Sequence, residues 1–340
     1  MAGDSSIQWT MKVWNPIAGC SVISPGCTNC YAMKMAARLE AMGVPVYAGL
    51  TRKTKAGAVW TGEMRLVEKA LTQPLRWRKP TTIFVNSMSD LFHEDVPDAW
   101  IDRVFAVMAL APQHTYQILT KRPDRMRRYL LNWPDGAARF HHVAYEAHKL
   151  KPGMKHGVPD GFVWELQRRW PLSNVWVGAS VEDQVRADER REPMAQVAAA
   201  GWITFVSYEP ALGPVDWTGW DFLKLLIAGG ESGPKARFCW VPNIRQAVVW
   251  CARAGVAAFV KQLGADVRDR NDAGFDGCEP DSWPDPDPFD IDHDLDGTRD
   301  DYQGAPVRIR LRDRKGGDPT EWPVDLRVRQ LPQPITNGAA

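Results

Sequence analysis

Cys20, Cys27 and Cys30 fall within eleven residues, in the run Gly19-Cys20 and Ser24-Pro25-Gly26-Cys27-Thr28-Asn29-Cys30-Tyr31-Ala32 that follows Trp14-Asn15-Pro16. In a reducing compartment, cysteines this tightly grouped are more often metal ligands than disulfide partners. Three thiolates can hold three irons of a 4Fe-4S cluster and leave the fourth iron without a protein ligand. An open iron accepts a small chelator through an amine and a carboxylate, and S-adenosylmethionine is such a chelator. The cofactor then carries the difficult bond cleavage while the protein positions and shields it. Pro25 and Gly26 permit a tight turn, and Cys27 and Cys30 can point to one centre at a helix start, where backbone amides stabilise thiolate charge. Two rival readings use the same residues. One is a zinc site completed by a histidine such as His93, although the second close ligand pair of a structural zinc site is missing. The other is a set of unliganded structural cysteines. Cys239 and Cys251 sit in apolar surroundings and read as small buried residues; Cys278 is a candidate fourth ligand on a loop that offers it no support.

A second group of chemistry-bearing residues lies at the ends of short apolar runs. These are Asn86-Ser87-Met88-Ser89-Asp90 with His93 and Glu94, Thr120-Lys121-Arg122-Pro123, and Gly178-Ala179-Ser180-Val181-Glu182-Asp183. Ser207-Tyr208-Glu209-Pro210, Gly229-Gly230-Glu231-Ser232-Gly233 and Lys261-Gln262-Leu263-Gly264 complete the set. The carboxyl ends of parallel strands form the reaction face of α/β folds, and buried polar groups are costly unless used. Asn86, Ser87 and Asp90 are therefore candidates for the methionyl amine or carboxylate, and Ser180 and Glu182 for ribose hydroxyls. Lys121 and Arg122 are candidates for a carboxylate or phosphate, and Glu209, Glu231 and Lys261 for the substrate side. Gly229-Gly230 permits close backbone approach without being a dinucleotide fingerprint.

The elements that must position these groups are legible as short strands alternating with amphipathic stretches. Strands are expected at 82–85, 116–119, 175–177, 203–206, 225–227 and 257–260, with 8–14 supplying a first strand; their apolar character suits burial on both faces. Helices are expected after Cys30 through Met42, over 63–71, over 99–110 with Asp98 as N-cap, and over 124–131, 185–199 and 243–254. This rhythm predicts an α/β fold built on a partial or full parallel barrel spanning 1–268, with an open doubly wound sheet as the competing topology. Residues 133–171, carrying His141, His142, His148 and His156, read as a surface insertion. Residues 269–303 read as an acidic Asp/Pro-rich loop. Within it Asp292, Asp294, Asp296 and Gly297 imitate a calcium loop whose twelfth position is Gln303 instead of Glu. Val307, Ile309 and Leu311 alternate with Arg308, Arg310 and Arg312, which predicts a basic β-hairpin over 304–335.

The net charge is +1, but residues 271–303 hold twelve acids and one base, so the remainder carries 41 bases and 29 acids. That surplus suits a polyanionic substrate and equally a solvated surface. Sixteen tryptophans can stack on bases or fill a core. No apolar run spans a bilayer and no secretory signal opens the chain, so a cytoplasmic location without membrane partners is expected.

The cysteine run, the strand-end phrases and Lys315-Gly316-Gly317-Asp318 through Trp322-Pro323 to Leu326-Arg327-Val328-Arg329 resemble a phage-associated family of three-cysteine proteins from bacteria and phages. More distantly, the cysteine loop with a partial barrel resembles the radical S-adenosylmethionine superfamily, including spore photoproduct lyase, a DNA-repair enzyme. That resemblance implies a 4Fe-4S cluster held by Cys20, Cys27 and Cys30, S-adenosylmethionine as co-substrate, an electron donor, and DNA, RNA or a nucleotide as substrate, with a partner protein admitted. The spacing here is six residues then two, where the superfamily has three then two, and Asn29 replaces an aromatic residue before the last cysteine. The rival functions are a zinc-stabilised nucleic-acid-binding protein and a nucleotide-handling transferase or hydrolase with structural cysteines.

Overall fold

Seven short runs rich in Val, Ile, Leu and Phe become the parallel strands of one sheet, as their burial on both faces requires. In the computed structural model, an edge strand β1 (Ala2–Asp4) pairs antiparallel with β2 (Lys12–Trp14). There follow β3 (Thr82–Val85), β4 (Thr115–Thr120), β5 (Val175–Ser180), β6 (Ile203–Tyr208), β7 (Leu225–Gly229) and β8 (Ala257–Gln262). The strands hydrogen-bond in chain order from β1 to β8, and β2 to β8 make a seven-strand parallel α/β sheet of half-barrel type. The order ends at β1 and β8, so the partial form of the expected barrel is the one found. Every residue of β5, β6 and β7 is buried. The structure describes residues 2–4, 7–55, 57–132, 138–150, 160–270, 280–282 and 307–332. Cys278, His156 and the calcium-loop imitation at 292–303 lie outside them.

The chain divides into two compact units: residues 1–179, 192–205 and 333–340 in the first, and 180–191 with 206–332 in the second. In the first unit, helix α1 (Tyr31–Ala41) follows the cysteines, and α2 (Asp98–Leu110), α3 (Pro123–Leu131), α4 (Arg139–Leu150) and α5 (Asp160–Arg168) follow β3 and β4. The core is aromatic: Phe105 stands edge-on to Trp202, and Trp170 edge-on to the same ring. Gly178 lets β5 lie against Phe205, since a Cβ there would sit 2.6 Å from the ring. Many of the tryptophans that could have served as stacking platforms are used this way, with Trp9, Trp14, Trp202, Trp217, Trp220 and Trp322 all buried.

Several local expectations are corrected in this fold. The 63–71 stretch is helical only over Glu68–Leu71, because Arg65–Leu66 is drawn into a strand against Ile17–Ala18. Asp98 does not cap α2: Pro97 holds the N-cap position, while the Asp98 carboxylate receives Arg125 and Arg139. The stretch after 138 is no surface excursion, because Phe140, Val143, Ala144 and Ala147 form a buried stripe at helical spacing and α4 packs on α2.

The tail differs too. Helix α6 (Gln184–Ala199) has residues in both units, while α7 (Val241–Ala254) belongs to the second and ends on Gly255 at φ 68°. Val307–Ile309 pairs with Val267–Asp269. The later run lies along β8, with Val260 N–H donating to Val328 O at 2.8 Å and Gln330 N–H to Ala258 O at 2.8 Å. The two runs do not pair with each other as a hairpin. An edge strand left with open N–H and C=O groups is a liability that this covering removes. The tail arginines are engaged accordingly: Arg308 with Asp266 at 3.3 Å, Arg312 with the buried Glu321 at 3.3 Å, and Arg327 on Trp322 O at 2.8 Å.

A candidate three-cysteine site in the first unit

Chain geometry upstream of Cys20 is set by one glycine. Gly19 adopts φ +101°, and a Cβ there would lie 2.0 Å from the Glu63 carbonyl oxygen, so only glycine passes. Cys20 follows directly, beyond the carboxyl end of β2. After Ser24 a 3-10 turn, Pro25–Cys27, reverses the chain with Cys27 N–H on Ser24 O at 3.0 Å, and Cys30 becomes the N-cap of α1. All three thiols are free, with Cys27 buried and Cys20 and Cys30 half-buried. Burial and then the Asp90 carboxylate push the Cys20 thiol up to about 12, Arg122 opposes this, and Cys30 and Cys27 add to the rise.

The ends of β3 and β4 build a polar frame against Cys20. Asp90 has both carboxylate oxygens filled: Oδ1 accepts Thr120 Oγ1 at 2.7 Å and Phe92 N–H at 3.0 Å. Its Oδ2 accepts Lys121 N–H at 3.1 Å and Arg122 Nη1 at 3.0 Å. A carboxylate offers about four lone-pair sites, so Asp90 is a structural hub with no acceptor left for a methionyl amine. The buried Arg122 guanidinium also meets the cysteine loop: Nη2 donates to Ser21 Oγ at 2.7 Å, and the Nη1 that holds Asp90 reaches Cys20 Sγ at 3.9 Å.

His93 Nδ1 accepts Asp95 N–H at 3.1 Å and Nε2 lies 2.8 Å from Ser21 Oγ. The Nδ1 acceptor role assigns the proton to Nε2, and burial, then Arg122, lowers the pKa of the ring. Both ring nitrogens of His93 are thus engaged in hydrogen bonds in this structure. Among the described residues no three His, Cys, Asp or Glu side chains form a group that could hold a metal ion, and this applies to Cys20, Cys27 and Cys30 as much as to a zinc set. A cubane asks something different, one thiolate for each of three irons. The donor set, three free thiols from one loop with the Arg122 guanidinium at Cys20, fits that group in kind.

Asn86 brings a buried, unfilled donor to the frame. It takes φ 60°, rare for a residue with a side chain, and its Oδ1 accepts Ile17 N–H at 3.3 Å. The buried Nδ2 has no partner. Ser87 is engaged with Asn15 Oδ1 at 3.1 Å, and Lys121 contributes its backbone to Asp90 as above.

The remaining candidates belong to the second unit and are tied internally. Glu182, fully buried, meets Arg190 at 2.7 Å, and the same Nη1 donates to the Ser180 carbonyl at 2.6 Å. Glu231 takes Arg237 Nη2 at 2.7 Å and Arg237 N–H at 3.0 Å. Glu209 and Lys261 pair at 2.6 Å, and Gln262 Nε2 donates to Gly230 O at 2.9 Å. The room at Gly229 and Gly230 is occupied by backbone: a Gly230 Cβ would lie 2.1 Å from Leu263 O. Arg190, Arg237 and Ser21 escaped sequence reasoning because nothing local marks a partner that only packing supplies.

Fold and site define an α/β half-barrel protein with three free thiols on the loop after its first parallel strand. The chain belongs to the family described as "Protein of unknown function (DUF5131)", whose profile matches residues 4–307. No curated protein matches the sequence. Among solved structures, spore photoproduct lyase complexed with dinucleoside spore photoproduct aligns at 12% identity and TM-score 0.37, covering 91% of this chain and 71% of that one. A mutant of spore photoproduct lyase with bound AdoMet and dinucleoside spore photoproduct aligns at 11% identity and TM-score 0.38 with the same coverage.

Proposed function

We propose that the protein is a radical S-adenosylmethionine enzyme that holds a 4Fe-4S cluster through Cys20, Cys27 and Cys30 and acts on a nucleic-acid or nucleotide-like substrate. The observation that carries this reading is the trio of free thiols within eleven residues of one loop, with the buried Arg122 guanidinium reaching Cys20. When bound, such a cluster supplies one-electron reduction of S-adenosylmethionine and hence hydrogen abstraction from the substrate. Arg122 would neutralise part of the thiolate charge at Cys20, held in place by Asp90 and Thr120. The unpartnered Asn86 Nδ2 is a donor, so it would take the methionyl carboxylate and not the amine. Ser21 and His93 would hold the loop between the first two cysteines. Glu209 and Lys261, a half-buried ion pair in the second unit, remain the candidates for the substrate side if a ligand opens that pair. Glu182 and Ser180 are left to the buried Arg190 contact.

Anaerobic reconstitution with iron and sulfide, followed by dithionite and S-adenosylmethionine, tests the reading. Iron and sulfide in cluster ratio and release of 5′-deoxyadenosine are expected. Stoichiometric zinc without iron, or no nucleoside release by a reconstituted protein, would overturn it.

A further inference from the structure

The sheet of the first unit has two unlike faces. Parallel pairing in register puts Trp14, Val85, Ile118 and Val177 in one row on one face, and all four are fully buried. The neighbouring row, Val13, Phe84, Gln117 and Trp176, stands on the opposite face, because side chains alternate along a strand. There Val13 and Phe84 are only half-buried, and so is Leu119, two residues nearer the strand end than Gln117. Gly178, in register with Leu119, shares this face, and the Phe205 ring lies against it.

Trp9 stands over this second face. Its ring is edge-on to Phe84 on β3 at 4.8 Å and tilted to Phe205 on β6 at 6.3 Å. A single ring that meets β3 and β6 lies across β4 and β5, which are between them in the sheet. The face is therefore concave, and Gln117 on β4 looks into the space that Trp9 spans. All of these residues belong to the first unit.

Two polar atoms on this face are unfilled. Among the described residues neither Gln117 Oε1 nor Trp9 Nε1 has a hydrogen-bond partner, although both atoms are buried, and Gln117 is only 1% exposed. One is an acceptor and the other a donor, yet they do not satisfy each other. A buried polar group without a partner lowers stability, and an aliphatic side chain would fill the same place among Trp9, Phe84, Trp176 and Phe205 without that loss. A polar residue kept where packing does not ask for it serves a ligand. Such a ligand is flat, to lie among aromatic rings, and presents a donor beside an acceptor to a carboxamide that offers both. A nucleobase has that form. Carboxamides read bases bidentately, and a base taken out of its stack is held between aromatic and apolar side chains. Gln117 lies three residues, roughly 10 Å, below Thr120, whose hydroxyl holds Asp90 in the frame of Cys20. A base entering from the strand ends would keep its sugar on the side of the cysteine loop.

We infer that Gln117 and Trp9 form a base-binding site on the concave face of the half-barrel, with Gln117 reading the base of the substrate. The inference rests on the nucleotide-like substrate proposed above and names the group that recognises it.

Calorimetric titration of the full-length protein with each common deoxynucleoside, and separately with S-adenosylmethionine, tests the site. At least one deoxynucleoside should bind. Gln117→Met should weaken that binding about tenfold or more while raising the melting temperature of the free protein by roughly 2 °C, since an orphaned amide is removed. Trp9→Phe, which keeps a ring and loses the N–H, should weaken it roughly fivefold. Deoxynucleoside binding indifferent to both substitutions would overturn the site and leave the substrate class standing. A melting temperature lowered by Gln117→Met would show the amide already satisfied by a buried water, and would overturn the site too. Affinity for S-adenosylmethionine that falls in Gln117→Met while deoxynucleoside affinity holds would assign Gln117 to the co-substrate, against the inference. Wild-type protein that binds no deoxynucleoside would overturn site and substrate class together, whereas its iron and sulfide content reports on the thiol cluster independently.

Discussion

The strand ends of the two units carry polar groups of the same kinds, and the fold uses them differently. In the second unit three strand-end glutamates find a base at hydrogen-bond distance: Glu182 with Arg190, Glu231 with Arg237, Glu209 with Lys261. In the first unit Asp90 is equally saturated, but the Arg122 Nη1 that holds it also reaches the Cys20 thiol, and Asn86 keeps an unfilled buried donor. A polar cluster on a reaction face is therefore informative through what it leaves unpaired. Saturated ion pairs hold loops, while thiols and orphaned donors are what a ligand can still engage.

That contrast breaks first at the cysteines. Cys20→Ala, Cys27→Ala and Cys30→Ala should each abolish iron uptake on anaerobic reconstitution, measured by iron and sulfide analysis, whereas Cys239→Ala and Cys251→Ala should retain it. Next in size, Glu182→Gln leaves Arg190 buried without its counter-charge and should cost roughly 3–5 kcal/mol in urea unfolding. Glu209→Gln breaks a half-buried pair and should cost about 1 kcal/mol or less, so equal losses would erase the distinction drawn between these pairs. Arg122→Met removes the donor to Cys20, and should move the reduction potential of a reconstituted cluster to more negative values in a spectroscopic titration. Arg122→Lys should restore part of the shift.

A smaller effect is read through pH. Burial raises the Asp102 pKa, against the Tyr129 hydrogen bond and the Arg139 charge, with His142 lowering and Asp98 raising it further out. The folded state then holds this proton more tightly than the unfolded chain. Stability contributed at Asp102 is full below the ordinary carboxyl pKa and falls as pH rises through the raised value. Asp102→Asn should flatten that slope in urea midpoints collected from pH 4 to 7. Smallest of all, Glu68→Gln, which opens a surface pair with Arg103 at 2.6 Å, should change stability by less than about 1 kcal/mol.

Several features could be read from the chain because their signals are local. The β-branched and apolar runs of β3 to β8 announce strands through burial alone, and the Pro25-Gly26 turn brings Cys27 and Cys30 together by spacing. The stripe Phe140, Val143, Ala144, Ala147 is equally local, but the surrounding histidines, prolines and glycines mask its period. The hairpin at 51–60 carries mostly Thr, Lys and Gly, with little alternation to find. The Asp90–Arg122 pair is 32 residues apart, and no pattern in either neighbourhood names the other.

The amino-acid order by itself determined the α/β class, the parallel strands and the gathering of three thiols into one loop, since each follows from periodicity or from covalent nearness. Tertiary packing alone decided which charges are spent and which remain available. It closed Glu182, Glu231 and Asp90 into internal contacts, left Asn86 Nδ2 open, and set Arg122 against Cys20. The physical reason is that hydrogen bonds and ion pairs act over a few ångströms, so their partners are chosen by distance in space and not by separation along the chain.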